Sequence, residues 1–258
     1  MKTALITLSA EGAAVLRKLA AGLPDATCCI HRDVPGDFNA VRFGSIIALT
    51  ADIFGRHDGL IYVAPCGVVV RAIAPLITGK RTDPAVVVID AGGRFSISLL
   101  SGHEGGANEL ALQAGNLLGA EPVITTTTEA RKSLTVGIGC RRGISAAAVV
   151  EAVREALSRV GLGTDAVRYL ASADIKADEE GLLEAAHILG IPLRLISSAE
   201  IRETRRAFQH SELARRKVNL PAVAEPAALL AGKRTRLIMP RMTWKGITVA
   251  IARESFTS

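Results

Sequence analysis

The segment from Ser101 to Asn108 concentrates reactive side chains more than any other stretch of this chain. Its polar members are Ser101, His103, Glu104 and Asn108, and its glycines are Gly102, Gly105 and Gly106. An imidazole near its unperturbed pKa passes protons in both directions near neutral pH, and such transfer contributes about 10²–10⁴ in rate. We therefore predict that His103 and Glu104 form a catalytic acid–base pair. The open alternative is that both residues cap the following helix.

Two known catalytic arrangements do not match this segment. The helical zinc-protease motif needs a second histidine four residues after the first, and Ala107 occupies that position. The glycines also break the helix that this motif requires. A serine nucleophile is expected within GxSxG, which is absent around Ser101, and no aspartate partner can be assigned. Ser101 is therefore expected first as a hydroxyl that binds ligand.

This turn must be held by the strand before it and the helix after it. An apolar run ends at Leu99 and Leu100, and the pattern predicts a helix over Ala107–Leu118. In an open α/β sheet, ligands bind at the carboxyl ends of strands. Glycines let the backbone approach a ligand closely, and free N–H groups at a helix N-terminus suit an anion. The expected substrate-binding residues here are Ser101, Gly102, Gly105, Gly106 and Asn108.

Strands alternate with helices along the whole chain, which favours mainly parallel sheets that are covered on both faces. Ala85–Asp90 and Arg94–Leu100 are separated by a short glycine-containing turn, so these two strands are expected to be antiparallel neighbours. We predict an α/β protein with two α/β domains, each a mostly parallel or mixed sheet flanked by helices. The predicted domains are residues 1–130 and residues 131–258.

Two further groups of candidate binding residues follow predicted strands. Pro122–Thr126 is predicted as a strand that leads into a run of threonines. Thr126 and Thr127 are candidates for polar contacts with a ligand, and the alternative is simple β-propensity. Gly67 and Arg71 lie at another strand-to-helix turn, where the arginine could face a ligand. The alternative there is a surface arginine.

A second glycine-rich turn, Gly137–Gly143, connects a strand to a helix. It resembles half of a dinucleotide-binding fingerprint, but Arg142 stands where the third glycine is expected, so nucleotide binding is the weaker alternative. We prefer a cradle for a carboxylate or phosphate, formed by backbone N–H groups and two guanidinium groups. Cys140 is expected to pack rather than to attack a substrate. The candidate binding residues are Gly139, Cys140, Arg141, Arg142, Gly143 and, after the next strand, Lys176.

Charge is unevenly divided along the chain. Residues 1–130 hold 10 Lys and Arg against 12 Asp and Glu, whereas residues 131–258 hold 21 against 13. The basic second half favours an acidic partner, and the alternative is a solvated basic surface. Aromatic residues make up 3% of the chain, which argues against stacking on nucleic-acid bases. No nucleic-acid partner is therefore expected.

Cysteine spacing and the lengths of apolar runs indicate the compartment. The four cysteines show no CxxC spacing, so neither a structural disulfide nor a protein-bound metal is expected, and the compartment is expected to be reducing. The first residues lack the apolar core and cleavage site of a signal peptide. The apolar run after Leu60 is interrupted at Arg71, well short of a membrane span. We expect a cytoplasmic protein without a membrane partner.

Several segments together resemble the cobalamin-biosynthesis protein G family. They are CGVVVRAIAPLITGKRTDPAVVVIDAGGRFSISLLSGHEGGANELA, PVITTTTEA, VGIGCRRGISA, ASADIKADEEGLLEAA, VAEPAALLAG and GITVAIAR. The resemblance covers nearly the whole chain, and SGHEGGANELA and VGIGCRRG are its specific motifs. This family is the cobalt-precorrin-5A hydrolase of the anaerobic vitamin B12 pathway. Its members open the δ-lactone of a cobalt-bearing tetrapyrrole that carries many carboxylates, and they release a two-carbon fragment as acetaldehyde.

The resemblance implies that this chain is such a hydrolase. Glu104 or His103 would act as the base for water attack on the lactone, and the other, or a substrate carboxylate, would assist. The basic half of the chain, with Arg141, Arg142 and Lys176, would hold the polyanionic substrate. Cobalt would arrive with the substrate, so the protein itself is expected to bind no cofactor and no metal.

One departure from the family pattern concerns a middle domain that many members carry between the threonine segment and VGIGC. Here only seven residues separate Thr128 from Val136, so that domain is absent. The alternative function is therefore a non-catalytic module that binds or shuttles the tetrapyrrole within the same pathway. Other enzymes of the pathway are candidate partners, and a homodimer is left open.

Overall fold

A computed structural model describes residues 1–255, and the chain divides into two units, Met1–Thr126 and a second that begins at Thr127. Each unit contains one β-sheet with helices on both faces. The two sheets are separate, and each is mixed in strand direction. The α/β class expected from the sequence is confirmed. The sequence-based boundary lies a few residues after the division seen here.

Seven strands form the sheet of the first unit. They are β1 (Thr3–Thr7), β2 (Thr27–His31), β3 (Val41–Phe43), β4 (Gly59–Val63), β5 (Ala85–Ile89), β6 (Phe95–Leu100) and β7 (Glu121–Val123), in the spatial order β3-β2-β1-β4-β5-β6-β7. β1 to β5 run parallel, β6 runs antiparallel to β5, and β7 runs parallel to β6. Every residue of β1, β4 and β5 is buried, as expected for central strands covered on both faces.

Four helices longer than one turn cover this sheet: α1 (Ala10–Gly22), α2 (Ile46–Ile53), α3 (Cys66–Ile73) and α4 (Ala107–Leu118). Leu16 of α1 and Leu110 of α4 pack with Ile61 on one face. Ile53 of α2 and Val69 of α3 pack on the other face. These two apolar layers cover the central strands on both faces, so the turns that follow those strands are built on a close-packed support.

Five strands form the sheet of the second unit, in the order β10-β9-β8-β12-β11. They are β8 (Leu134–Gly139), β9 (Val167–Ala173), β10 (Leu193–Ile196), β11 (Arg236–Trp244) and β12 (Ile247–Arg253). The helices of this unit are α5 (Thr127–Ala130), α6 (Ala146–Arg159), α7 (Glu180–Leu189), α8 (Ser198–Glu203), α9 (Glu212–Val218) and α10 (Ala224–Leu230). β8, β9 and β10 are parallel, so their carboxyl ends share one edge of the sheet.

Local sequence explains how the elements around β8 form. Ser145 caps α6 by accepting a hydrogen bond from the Ala148 N–H, in line with the preference for serine at the N-cap position. α10 packs directly on β8, where a Cβ atom at Gly137 would collide with the backbone of Ala224 and Ala228. Gly137 is therefore required for close approach of a helix rather than for a turn. Gly137 lies within strand β8, whereas the first glycine of a dinucleotide-binding fingerprint forms the turn after the strand. The position of Gly137 therefore argues against dinucleotide binding.

The structure contains two elements that the sequence did not predict, and it ends one predicted strand earlier than expected. The short edge strand β3 was not predicted, because three residues are too few to show a period. α9 was also missed, since none of its residues is buried and it therefore lacks an apolar stripe. β7 ends at Val123, and Thr127 begins the short helix α5, so the threonine run does not extend the strand.

Candidate functional site

The turn Ser101–Gly106 lies at the edge of the first sheet where the parallel strands begin. Leu100, the last residue of β6, pairs with Val86 near the start of β5, because the two strands run in opposite directions. The turn does follow the carboxyl end of its own strand, as expected. It does not lie at the carboxyl edge of β1 to β5, which is the edge where ligands bind in parallel sheets.

Ser101 closes the turn. It is a buried non-glycine residue with a positive φ of 58°, a conformation that costs on the order of 1–3 kcal/mol. Its carbonyl accepts hydrogen bonds from the N–H groups of Gly105 and Ala107. Its hydroxyl is buried and has no hydrogen-bond partner among residues 1–255. In this conformation Ser101 therefore shapes the turn, and its hydroxyl does not face solvent.

Asn108 connects three parts of the site. Its Oδ1 accepts from Ser98 Oγ at 2.8 Å, and its Nδ2 donates to Thr126 Oγ1 at 3.1 Å. Its backbone N–H donates to the carbonyl of Gly102. The structure thus brings Gly102, Asn108 and Thr126 together, as a network that fixes the turn against β6. Because these groups bond to one another, Asn108 serves to position the turn.

Gly106 begins the helix that follows. It has a φ of 84°, in the left-handed region that favours glycine, and it occupies the N-cap position of α4 without a side-chain cap. The N–H of Asn108 and that of Ala107 are donated inside the turn. Two of the groups that the sequence suggested for an anion at this helix N-terminus are therefore already bonded.

His103 and Glu104 lie exposed in the turn, after the buried Ser101. Glu104 Oε1 lies 2.8 Å from Lys80 Nζ. The hydrogen bond from Lys80 lowers the pKa of Glu104 below its ordinary value, and the charges of His103 and Arg81 act in the same direction. Glu104 is therefore ionised at neutral pH. No hydrogen bond joins the His103 ring to another residue in the described part of the chain.

Lys80 belongs to a braced loop that the sequence analysis missed. The buried carboxylate of Asp83 accepts hydrogen bonds from Thr78 Oγ1 at 2.7 Å, from the Thr78 N–H at 3.0 Å and from the Gly79 N–H at 3.1 Å. The Thr78 hydroxyl is the main cause of the lowered pKa of Asp83. The signal was present as adjacent lysine and arginine before Asp-Pro, but nothing local links this loop to Glu104.

Gly67 and Arg71 lie at the opposite edge of the same sheet. β4 ends at Val63, which pairs with Ile89, and Ile89 pairs with Ser96 near the beginning of β6. α3 starts directly after this end of β4, and Arg71 donates a hydrogen bond back to the Gly67 carbonyl at 2.9 Å. The structure therefore does not bring these two residues to the Ser101–Gly106 turn.

In the second unit, the predicted anion cradle is filled by a carboxylate of the chain itself. Glu179 Oε1 accepts from the Gly143 N–H at 2.8 Å and from the Ile144 N–H at 3.2 Å. Glu179 Oε2 lies 2.9 Å from Lys176 Nζ, and both side chains are buried. Burial raises the pKa of Glu179, but the Lys176 hydrogen bond and charge and the backbone donors outweigh it, so the pKa is lowered.

The remaining residues of this turn are also largely bonded within the unit. Arg142 donates to both carboxylate oxygens of Asp178, at 2.9 and 3.0 Å, and to the Ile175 carbonyl. Burial raises the pKa of the Cys140 thiol, which supports packing rather than attack on a substrate. Gly139 is the last residue of β8. Arg141 is exposed and forms no ion pair within residues 1–255, so it is the available cation here.

Residues 1–255 contain neither a metal-binding cluster nor a membrane-spanning helix. No three His, Cys, Asp or Glu side chains cluster in an arrangement that could hold a metal ion. No helix in the same range is both long enough and apolar enough to cross a membrane. The four cysteines are all free thiols.

Fold and site together define a two-unit α/β protein with an exposed imidazole, an ionised carboxylate and a cationic loop at one sheet edge. Residues 48–129 match the family described as cobalamin synthesis G N-terminal, and residues 134–252 match cobalamin synthesis G C-terminus. Together these matches take in most of the chain. The chain belongs to the cobalamin synthesis G family.

The chain is similar to several individual proteins. The cobalt-precorrin-5A hydrolase of Priestia megaterium is 26% identical over 81% of this chain and 82% of the relative. The cobalt-precorrin-5A hydrolase of Salmonella typhimurium is 43% identical over 49% of this chain and 36% of the relative. A crystal structure of CobE, described as a protein from the cobalamin (vitamin B12) biosynthetic pathway, shares 33% identity over 48% of this chain and 92% of that chain, with a TM-score of 0.44.

The alignment with the Priestia megaterium relative extends over 307 positions, which is more than the 258 residues of this chain. That relative therefore contains inserted sequence that this chain lacks.

Proposed function

We propose that this chain is a cobalt-precorrin-5A hydrolase of cobalamin biosynthesis. It would open the δ-lactone of the substrate to give cobalt-precorrin-5B and release a two-carbon fragment as acetaldehyde. Membership of the cobalamin synthesis G family and the names of the relatives support the reaction. The observation that carries the site is the exposed pair His103 and ionised Glu104 on a turn that Ser101 and Asn108 hold in place.

Lactone hydrolysis needs one proton removed and one proton supplied. Water adds to the lactone carbonyl carbon while a base takes its proton, and the bond from that carbon to the ring oxygen then breaks while the ring oxygen is protonated. Glu104 is ionised and can accept a proton. His103 beside it can donate one when protonated. Positioned proton transfer of this kind contributes about 10²–10⁴ in rate.

A substrate with many carboxylates needs exposed cations. Lys80 and Arg81 supply them beside the turn, and Arg141 is exposed in the second unit. α9 adds Arg215, Arg216 and Lys217, which form no ion pair within the described residues. The cations of each unit, considered separately, support binding of a polyanionic cobalt tetrapyrrole, with the cobalt carried by the substrate. The free cysteines agree with a reducing cytoplasm as the location.

The decisive experiment measures acetaldehyde during anaerobic incubation with cobalt-precorrin-5A. The chain would be compared with the double variant His103→Ala, Glu104→Ala and with Glu151→Ala, which changes an exposed glutamate that is likewise paired with a lysine. We expect stoichiometric acetaldehyde from the wild type and from Glu151→Ala, and a rate at least about 10²-fold lower from the double variant. Equal rates from all three proteins would place the chemistry elsewhere.

A second candidate function is a non-catalytic carrier that hands the tetrapyrrole to another pathway enzyme. It is favoured by one observation, namely that the chain lacks sequence present in a relative named as a hydrolase. A carrier would bind cobalt-precorrin-5A and would release no acetaldehyde on its own. The double variant of such a carrier would bind the substrate as tightly as the wild type does. Recovery of acetaldehyde on addition of another pathway enzyme would then identify the partner.

A further inference from the structure

The ion pair between Lys80 and Glu104 joins two segments that are 24 residues apart. Both side chains are substantially exposed, with 72% of Lys80 and 39% of Glu104 accessible to solvent. Exposed pairs of this kind contribute little net stability, because the gain in Coulomb energy is offset by screening and by side-chain ordering. Another carboxylate can therefore replace Glu104 on Lys80 at little cost.

The backbone that carries Lys80 is nevertheless fixed. Asp83 binds the Thr78 and Gly79 N–H groups and the Thr78 hydroxyl, so the loop is closed beneath Lys80 and Arg81. Lys80 is bonded to the Glu104 carboxylate, and the charges of Arg81 and His103 also lower its pKa. The two adjacent cationic side chains are therefore exposed on a braced loop beside the turn, which suits recognition of an anion.

We propose that Lys80 and Arg81 form a binding subsite for a carboxylate of the substrate, and that Glu104 occupies this subsite until the substrate arrives. This inference rests on the proposed function and adds the chemical group that is recognised. When a substrate carboxylate takes Lys80, Glu104 loses its partner and becomes free to accept a proton. The substrate carboxylate thus replaces Glu104 on Lys80, and the same step that binds the substrate releases Glu104 as the base.

Two other ion pairs of the chain set limits on this interpretation. Lys176 and Glu179 are buried, so their pair is not open to exchange with a ligand. Lys245 and Glu151 have the same 2.8 Å separation as Lys80 and Glu104, with 63% and 48% of the side chains exposed. Lys245→Met is therefore a matched control, because it removes an equivalent pair in the other unit.

The test compares wild type, Lys80→Met, Lys80→Arg and Lys245→Met. Equilibrium binding of cobalt-precorrin-5A is followed by absorbance, and acetaldehyde release gives kcat and KM across pH. We expect Kd and KM to rise about tenfold in Lys80→Met through loss of one charge-assisted hydrogen bond. Lys80→Arg should recover most of the binding, and Lys245→Met should match the wild type.

The pH profiles separate exchange from a merely structural role. kcat/KM reports ionisations of the free protein, and kcat reports those of the substrate complex. Lys80 lowers the pKa of Glu104 only while it holds Glu104, so its removal should move the acid limb of kcat/KM to higher pH and leave that of kcat unchanged. If the acid limbs of both kcat/KM and kcat moved, Lys80 would still hold Glu104 in the substrate complex, and the proposed exchange of carboxylates would be overturned.

The two failures remain distinguishable. An unchanged Kd in Lys80→Met would overturn the subsite whether or not the wild type releases acetaldehyde. Absence of acetaldehyde from the wild type, together with weaker binding by Lys80→Met alone, would overturn the hydrolase and keep the subsite.

Discussion

The carboxylate of Glu179 accepts a hydrogen bond from the backbone N–H of Gly143 at 2.8 Å, although the two lie 36 positions apart in the chain. The backbone N–H groups of this turn, which could have bound an anionic ligand, instead bind a carboxylate of the chain itself. The contact thereby links two loops of the second unit. Lys176 neutralises the same carboxylate from the other side. Of the two arginines in the GIGCRRG turn, Arg142 therefore bonds within the unit, whereas Arg141 is exposed and forms no ion pair within residues 1–255.

Loss of Glu179 should strongly destabilise the second unit. Glu179→Gln leaves the buried Lys176 ammonium without a counter-charge, and breaking a buried pair typically costs about 3–5 kcal/mol. We expect a clearly lower denaturation midpoint by circular dichroism in urea. Asp178→Asn removes the neighbouring exposed pair with Arg142 and serves as the control. Equal midpoints for the two variants would mean that Lys176 finds another partner.

The Asp83 brace should make stability dependent on acid pH. Its pKa is lowered in the folded chain, chiefly by the Thr78 hydroxyl, so its contribution is present above the ordinary aspartate range and is lost as pH falls through the lowered pKa. Asp83→Asn should therefore be less stable than the wild type at neutral pH, and the two should converge in acid. Thermal unfolding across pH measures this. A constant difference at every pH would rule out ionisation of Asp83 as the cause.

Gly137→Ala should be poorly tolerated. The new methyl group would collide with the backbone of α10 at Ala224 and Ala228, and overpacking of this kind typically costs about 1–3 kcal/mol. Gly55→Ala is the matched control, since no atom lies within 4 Å of a Cβ placed there. The measurement is the change in urea midpoint for each variant. A small effect at Gly137 would show that α10 can move away from β8.

Asn108→Ala should loosen the Ser101–Gly106 turn. It removes the side-chain bonds to Ser98 and Thr126, each contributing about 1 kcal/mol. Ser98→Ala removes only the first bond and is the graded control. We expect faster amide hydrogen exchange at Gly105 and a lower kcat in Asn108→Ala, with a smaller effect in Ser98→Ala. Unchanged exchange with a lower kcat would instead indicate direct contact of Asn108 with the substrate.

Much of the fold could be predicted because its signals are local. The antiparallel pairing of β5 and β6 follows from a short turn between two apolar strands, and the structure confirms it. The start of α6 follows from the capping preference of Ser145. β3 and α9 could not be predicted, because one is three residues long and the other buries none of its residues.

The sequence by itself determined which residues the candidate turn contains and that a strand and a helix enclose it. Tertiary structure alone decided which sheet edge carries the turn, because β6 runs against its parallel neighbours and so places Leu100 beside the start of β5. It also decided that Lys80 reaches Glu104 and that Glu179 fills the turn at Gly143. These contacts join residues far apart in the chain, and their geometry depends on strand direction and burial, which local sequence patterns do not encode.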